Sequence, residues 1–349
     1  MRRDASTLDR IDVPPGLAGM RRHALDGAML LFDRDTGLNA RCEGPETVHL
    51  RRAAPRVVQF GLTNHCNLRC GFCSRDLDAA STWTADDAFI VLRDLAAAGV
   101  LEVAFGGGEP LVFAGFDALL SRLYDHTPLA VNLTTNGVLL DRERLRRWHD
   151  DRGRPRYGQI RLSLYDDNDW RAKVRMLADV GARFGVNLLV DPRVAEHLED
   201  IVLELAALGC RDVLLLAYNG DDRSMHLDLA TAARLATRVR VLARALVRSV
   251  ALKLDVCWGS RMGTVPQLFT GGDCGAGREL VVVTSDRRVM PCSFHQLGFP
   301  FTTAADILAI WSREQARLSA AAIAPGCART PGFGLDGALV SLGRPRRPA

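Results

Sequence analysis

Three cysteines fall within eight residues, in the segment Cys66-Asn67-Leu68-Arg69-Cys70-Gly71-Phe72-Cys73. This CxxxCxxC spacing brings three soft thiolates to one loop, and thiolates suit iron-sulfur clusters and zinc alike. On these residues alone a zinc site completed by His65 or a distant side chain stays open. A second segment, Gly106-Gly107-Gly108-Glu109-Pro110, offers different chemistry. Consecutive glycines let backbone approach a ligand closely, and a carboxylate beside them favours a ligand ammonium group. A third, Thr134-Thr135-Asn136-Gly137, adds short hydrogen-bonding side chains, although by itself it reads as a turn or helix cap. Four further cysteines, Cys257, Cys274, Cys292 and Cys327, are strung along the C-terminal third. They can close around an iron-sulfur cluster or a zinc ion, because both accept four thiolates.

The elements that must position these loops alternate between strand and helix patterns. Strands are expected at 57–62, 101–105, 129–133, 159–164, 186–190 and 212–217, with helices at 85–98, 116–124, 141–149, 169–184 and 194–208. Six such units predict an α/β protein built on a partial (β/α)6 TIM-like barrel, whose ligands gather at the C-terminal ends of the strands. The cysteine, Gly-Gly-Glu and Thr-Asn-Gly loops follow the first, second and third of those strands. Residues 1–55 form an N-terminal extension with a hairpin pattern at 28–32 and 38–42. Residues 56–250 form the barrel core, and 251–349 a small C-terminal extension of it.

Composition narrows the function classes. With 349 residues and 48% apolar content the chain can bury a large core. No apolar stretch of signal or membrane-spanning length is found, so a cytoplasmic protein without a membrane partner is expected. The net charge is only +4. Arg234, Arg238, Arg240, Arg244 and Arg248 line one helix face opposite Leu235, Val239, Leu242 and Leu246, which reads as a solvated amphipathic helix, and no nucleic-acid motif is present. Nine cysteines in a reducing compartment point to metal rather than disulfides. Cys42 and Cys210, standing alone, read as small buried hydrophobes.

In this order on such a barrel, the three motifs resemble the radical S-adenosylmethionine (radical SAM) superfamily over about residues 55–220. The resemblance implies that Cys66, Cys70 and Cys73 hold a 4Fe-4S cluster whose fourth iron chelates S-adenosylmethionine. Phe72 would lie near adenine, and Gly107, Gly108 and Glu109 would meet the methionine amino group. Thr135, Asn136, Ser163 and Asn187 would complete the cofactor pocket. The implied activity is reductive cleavage of S-adenosylmethionine to a 5'-deoxyadenosyl radical that abstracts hydrogen from a substrate. The C-terminal third resembles the SPASM and twitch auxiliary-cluster extensions, which implies a second 4Fe-4S cluster on Cys257, Cys274, Cys292 and Cys327. In those extensions a glycine stands five residues before the second cysteine, where this chain has Arg287. Sulfatase-maturing relatives carry an aspartate where Ser293 stands.

A ribosomally made peptide is the favoured substrate, since SPASM-type extensions accompany such work, with a reducing partner such as flavodoxin or ferredoxin. A twitch-type sugar or aminocyclitol oxidoreductase is the alternative. A non-enzymatic zinc-binding module is the remote one, because it leaves the second and third loops unexplained. No catalytic acid or base is assigned.

Overall fold

The computed structural model describes residues 8–165, 168–262 and 274–319. Strands Arg21–Ala24 (β1), Met29–Phe32 (β2) and Asn39–Cys42 (β3) form an antiparallel sheet in that order. The hairpin pattern therefore gains a strand: β1, rich in arginine, has no apolar alternation to betray it. Leu25, Ala28, Leu30 and Phe32 pack on Leu101 and Ala130, at the starts of barrel strands. Arg21 donates to Ala96 O at 2.6 Å and Val100 O at 2.8 Å, tying the small sheet to the end of α1 and the turn into β5.

From Val57–Thr63 (β4) the chain alternates. Next come Ala85–Ala97 (α1), Glu102–Gly107 (β5), Phe116–His126 (α2), Ala130–Thr135 (β6), Arg142–Arg147 (α3), Ile160–Ser163 (β7) and Trp170–Asp179 (α4). Phe184–Val190 (β8), Pro192–Glu196 (α5), Leu198–Ala207 (α6), Asp212–Ala217 (β9), Leu229–Ala245 (α7) and Ala251–Leu254 (β10) follow. The expected α/β alternation holds, with local differences. The 169–184 helix stops at Asp179, because Gly181 turns at φ 66° and Phe184 starts β8. The 194–208 helix is two helices meeting at His197. In α7 the apolar face is buried as expected, but Arg238 is not simply solvated, since it pairs with Glu199.

The C-terminal stretch adds strands to the barrel sheet. Leu280–Val283 (β11) pairs parallel to β4, and Arg288–Met290 (β12) and Phe299–Pro300 (β13) add antiparallel strands beyond it. At the far end β10 pairs parallel to β9. One sheet thus runs β10-β9-β8-β7-β6-β5-β4-β11-β12-β13. Helices Ala304–Arg313 (α8) and Gln315–Leu318 (α9) close the described chain. A parallel sheet covered by helices must be apolar on its outer face, and Val58, Phe60, Val103, Phe105, Val131, Leu162, Val186 and Val213 are all buried there.

Inward positions at the strand starts carry charge instead. Glu102 meets Arg56 at 2.7 Å and Asn132 Nδ2 at 3.1 Å. Asp212 takes Arg161 at 2.8 Å, Lys253 at 2.6 Å and Gln159 Nε2 at 3.2 Å. These groups form a paired polar floor beneath the strand ends that carry the motifs. No helix among the described residues is long and apolar enough to cross a membrane.

Candidate functional site

A cavity of about 570 Å³ opens at the C-terminal ends of the strands. Cys66, Cys70 and Cys73 line it together with Phe72, Gly107, Gly108, Glu109, Thr135, Asn136, Ser163 and Asn187. Cys257, Cys274 and Cys292 reach the same cavity from β10 and the C-terminal strands. Cys327 lies outside the described residues. Cys210 is buried as expected, whereas Cys42 sits half-buried in β3.

The glycines have a use the sequence did not indicate. A Cβ on Gly108 would come within 2.0 Å of His65 O, and one on Gly107 within 2.4 Å of Thr63 O. Gly108 N donates to Thr63 O at 2.7 Å and Glu109 N to His65 O at 2.9 Å. What approaches these glycines is the backbone of the cysteine loop itself, locked to the second loop by two main-chain bonds.

Glu109 is 2% exposed, and its carboxylate is fully engaged by the third loop and its own turn. Thr135 Oγ1 donates to Oε1 at 2.8 Å, Leu111 N to Oε1 at 3.0 Å and Asn136 N to Oε2 at 2.8 Å. Burial pushes its pKa up, against the pull of those donors. Asn136 is the hub of the mouth. Its Nδ2 donates to Asn67 Oδ1 at 2.8 Å in the cysteine loop, and its carbonyl accepts from Asn168 Nδ2 at 2.7 Å. Asn168 Nδ2 also donates to Ser163 O at 2.7 Å, so one buried asparagine ties the loop after β7 to the rest. Asp169, the N-cap of α4, makes no side-chain capping bond, and its φ is 44°.

Tyr165 was also missed. Its ring lies 5.4 Å from that of Phe72, and burial, followed by the nearby thiols, pushes its hydroxyl up to about 12. Burial raises Cys66 and Asp255 as well. Arg75, two residues past Cys73, donates to Ser293 Oγ at 3.3 Å, and Ser293 Oγ to Gln59 Oε1 at 3.3 Å. A guanidinium thereby links the cysteine loop to the hairpin that carries Cys292. The pairing of β11 with β4 helps to bring those segments together, and no local signal announces it.

Arg287, standing where SPASM and twitch extensions place glycine, has φ 59°. The turn thus keeps the glycine-like conformation, and the side chain anchors it: the guanidinium lies 4.2 Å over Trp83 and 2.7 Å from Asp87.

Zinc would draw its donors to within about 2.3 Å of a single ion. Among the described residues no three Cys, His, Asp or Glu side chains converge closely enough to hold one ion. Cys66, Cys70 and Cys73 all line the cavity, and by donor type their thiols suit an iron-sulfur cluster as well as zinc.

Residues 61–157 match the family model of the Radical SAM superfamily. The chain carries a radical SAM domain. The chain is 38% identical over 94 residues to the PqqA peptide cyclase of Bradyrhizobium diazoefficiens, covering 26% of this chain and 24% of the cyclase. It is 38% identical over 86 residues to the probable GTP 3',8-cyclase of Methanocella arvoryzae, covering 24% of this chain and 27% of that one. The chain thus spans about a quarter of the length of these relatives. Streptococcus suis SuiB bound to precursor peptide SuiA shares the fold, with a TM-score of 0.61 at 19% identity over 74% of this chain and 65% of SuiB. The radical SAM domain is therefore a partial TIM-like barrel, with its three motif loops at one mouth.

Proposed function

We propose that this protein is a radical SAM enzyme that modifies a ribosomally made peptide. The observation that carries the reading is the junction of the cysteine, Gly-Gly-Glu and Thr-Asn-Gly loops through Asn136 and Glu109 at one cavity. A 4Fe-4S cluster and S-adenosylmethionine, bound there, supply one-electron cleavage of the sulfonium and hydrogen abstraction from the substrate. Cys66, Cys70 and Cys73 would ligate the iron. Glu109 would accept from the methionine ammonium while bracing the third loop. Phe72 and Tyr165 would hold the adenine, and Ser163 and Asn187 the ribose side. The inward-facing apolar side chains of the cavity wall, including Leu189, Leu214 and Leu216, would keep water from the reacting atoms.

The peptide substrate is supported by the PqqA peptide cyclase relative and by a structural neighbour bound to its precursor peptide. The GTP 3',8-cyclase relative, equally similar, favours a small-molecule substrate as the second reading. A second cluster on Cys257, Cys274, Cys292 and Cys327, a cytoplasmic location and a flavodoxin- or ferredoxin-type reductant complete the proposal.

Anaerobically reconstituted protein with reductant should release 5'-deoxyadenosine and methionine, measured by chromatography. Replacing Cys66, Cys70 and Cys73 together with Ala should abolish both products, and product from the triple variant would refute the reading. Iron analysis should give about eight irons per chain, falling to about four when Cys274 and Cys292 become Ala. About four irons and one zinc in the unaltered protein would reject the second cluster alone.

A further inference from the structure

The wall built by the motif loops runs from β4 to β8, where Ser163 and Asn187 complete it. On its other flank β4 pairs with β11, and the sheet continues into β12. Three side chains from three segments meet there, and all of them line the same cavity. Arg75 follows the cysteine loop, Gln59 lies within β4, and Ser293 follows Cys292. Arg75 Nη2 donates to Ser293 Oγ at 3.3 Å, and Ser293 Oγ donates to Gln59 Oε1 at 3.3 Å. One oxygen thus holds the guanidinium and the amide beside each other.

Donors exceed acceptors at this point. A guanidinium carries five N–H bonds, and the single long bond to Ser293 is all that Arg75 makes among the described residues. Gln59 Nε2 likewise donates to none of them. Burial works against the charge of Arg75, and Cys73, Asp286 and Cys292 are the groups that favour it. Yet Arg75 makes no ion pair among the described residues, and Asp286 Oδ1 instead accepts from Thr284 Oγ1 at 2.5 Å. The other guanidinium at the cavity, Arg161, is committed to Asp212 at 2.8 Å. An arginine keeps its proton in a protein, so the charge of Arg75 is fixed and does not depend on titration. A cation drawn out of bulk water calls for an anion.

We infer that Arg75, Gln59 and Ser293 form a substrate subsite for an oxyanion, a carboxylate or a phosphate that the substrate carries. The inference rests on the enzyme reading above and adds what the substrate must bring. An oxyanion accepts from the guanidinium and from Gln59 Nε2 together, and supplies the charge that no side chain pairs with Arg75. In that reading S-adenosylmethionine takes the wall from β5 to β8, which leaves this flank to the substrate.

The test uses reconstituted holoenzyme loaded with S-adenosylmethionine and no reductant. The probes are butyrate and n-butyl phosphate, with butyramide as neutral control, followed by saturation-transfer NMR. At least one anion should bind about tenfold more tightly than butyramide, the effect of a charge-assisted bond, and the tighter of the two names the oxyanion. Arg75→Gln should remove the preference. Gln59→Glu, which sets a carboxylate beside the same Ser293 oxygen, should remove it from a different strand. Equal binding of anions and butyramide, the result if thiolates of Cys73 and Cys292 already balance Arg75, overturns the subsite, as does a preference that survives Arg75→Gln. Should Arg75→Gln lose iron, Gln59→Glu decides: an unchanged preference refutes the inference. If Arg75→Gln weakens S-adenosylmethionine, measured by equilibrium dialysis, as much as it weakens the anion, Arg75 belongs to the cofactor and the inference falls. Release of 5'-deoxyadenosine on adding reductant to the same sample reports on the enzyme reading separately.

Discussion

The two ends of the same parallel strands treat polar groups in opposite ways. At the floor, Glu102 is held by Arg56 and Asn132, and Asp212 by Arg161, Lys253 and Gln159. At the mouth, Asn187 and Asn219 each keep a buried Oδ1 with no donor among the described residues. Both sets occupy one barrel interior, so hydrophobicity does not separate them. Closure of the hydrogen-bond inventory does: the floor acids are fully paired within the fold, and these two mouth amides are not. Where polar groups are satisfied, substitution should cost stability. Where they are not, it should cost binding.

The largest expected effect is at the floor. Asp212→Asn leaves Arg161 and Lys253 facing a neutral amide, and should destabilise the protein by about 3 kcal/mol in urea unfolding. Burial pushes Asp212 up, but Arg161 and Lys253 overcome it and hold the carboxyl below its ordinary value. The stability it contributes is therefore present above the ordinary carboxylate range and lost as pH falls through it. A stable Asp212→Asn protein with impaired S-adenosylmethionine binding would reverse the comparison.

Beneath the floor, His23 Nδ1 donates to Gly99 O at 2.9 Å, and its buried Nε2 has no partner among the described residues. Burial lowers its pKa from 6.5 to about 4. The unfolded chain takes up the proton first, so stability should be full above about pH 6.5 and fall progressively toward pH 4, by up to about 3 kcal/mol. Melting temperature against pH should show this loss, and His23→Leu should flatten it.

At the mouth, Glu109→Gln preserves size and an acceptor for Thr135 but removes the charge. Affinity for S-adenosylmethionine should drop about tenfold with iron content intact, the effect of losing one charge-assisted bond. Unchanged affinity would assign Glu109 to bracing the loops alone. The smallest effect belongs to the hairpin turn. Arg287→Gly relieves a left-handed backbone worth about 1–2 kcal/mol and loses a cation–π contact and a partly exposed ion pair of similar total. It should lie within about 1 kcal/mol of the parent, whereas Arg287→Ala, which keeps the strain and loses the anchor, should be less stable by about 1 kcal/mol.

Local pattern revealed the motif loops and the six strands that precede them, because each apolar run ends at the loop it presents. Features that depend on distant pairing were not legible. The match of β11 to β4 joins residues more than two hundred positions apart, as does the contact of Arg75 with Ser293. Asn168 reads locally as a helix cap, yet its amide bonds across to Asn136, a choice set by the neighbouring strand. The glycines of the second loop announced a close approach, but their sequence could not say whether ligand or backbone would do the approaching.

The pairing of β11 with β4 also sets an order of assembly during synthesis. Residues 57–60 emerge early, while their outer neighbours at 280–283 follow only after the whole barrel has been made. At about 5–20 residues per second, the outer edge of β4 stays uncovered for tens of seconds. An open apolar strand edge invites wrong partners in that interval. The same delay keeps the segment of Arg75 apart from the hairpin of Ser293 until the last part of the barrel sheet has been made.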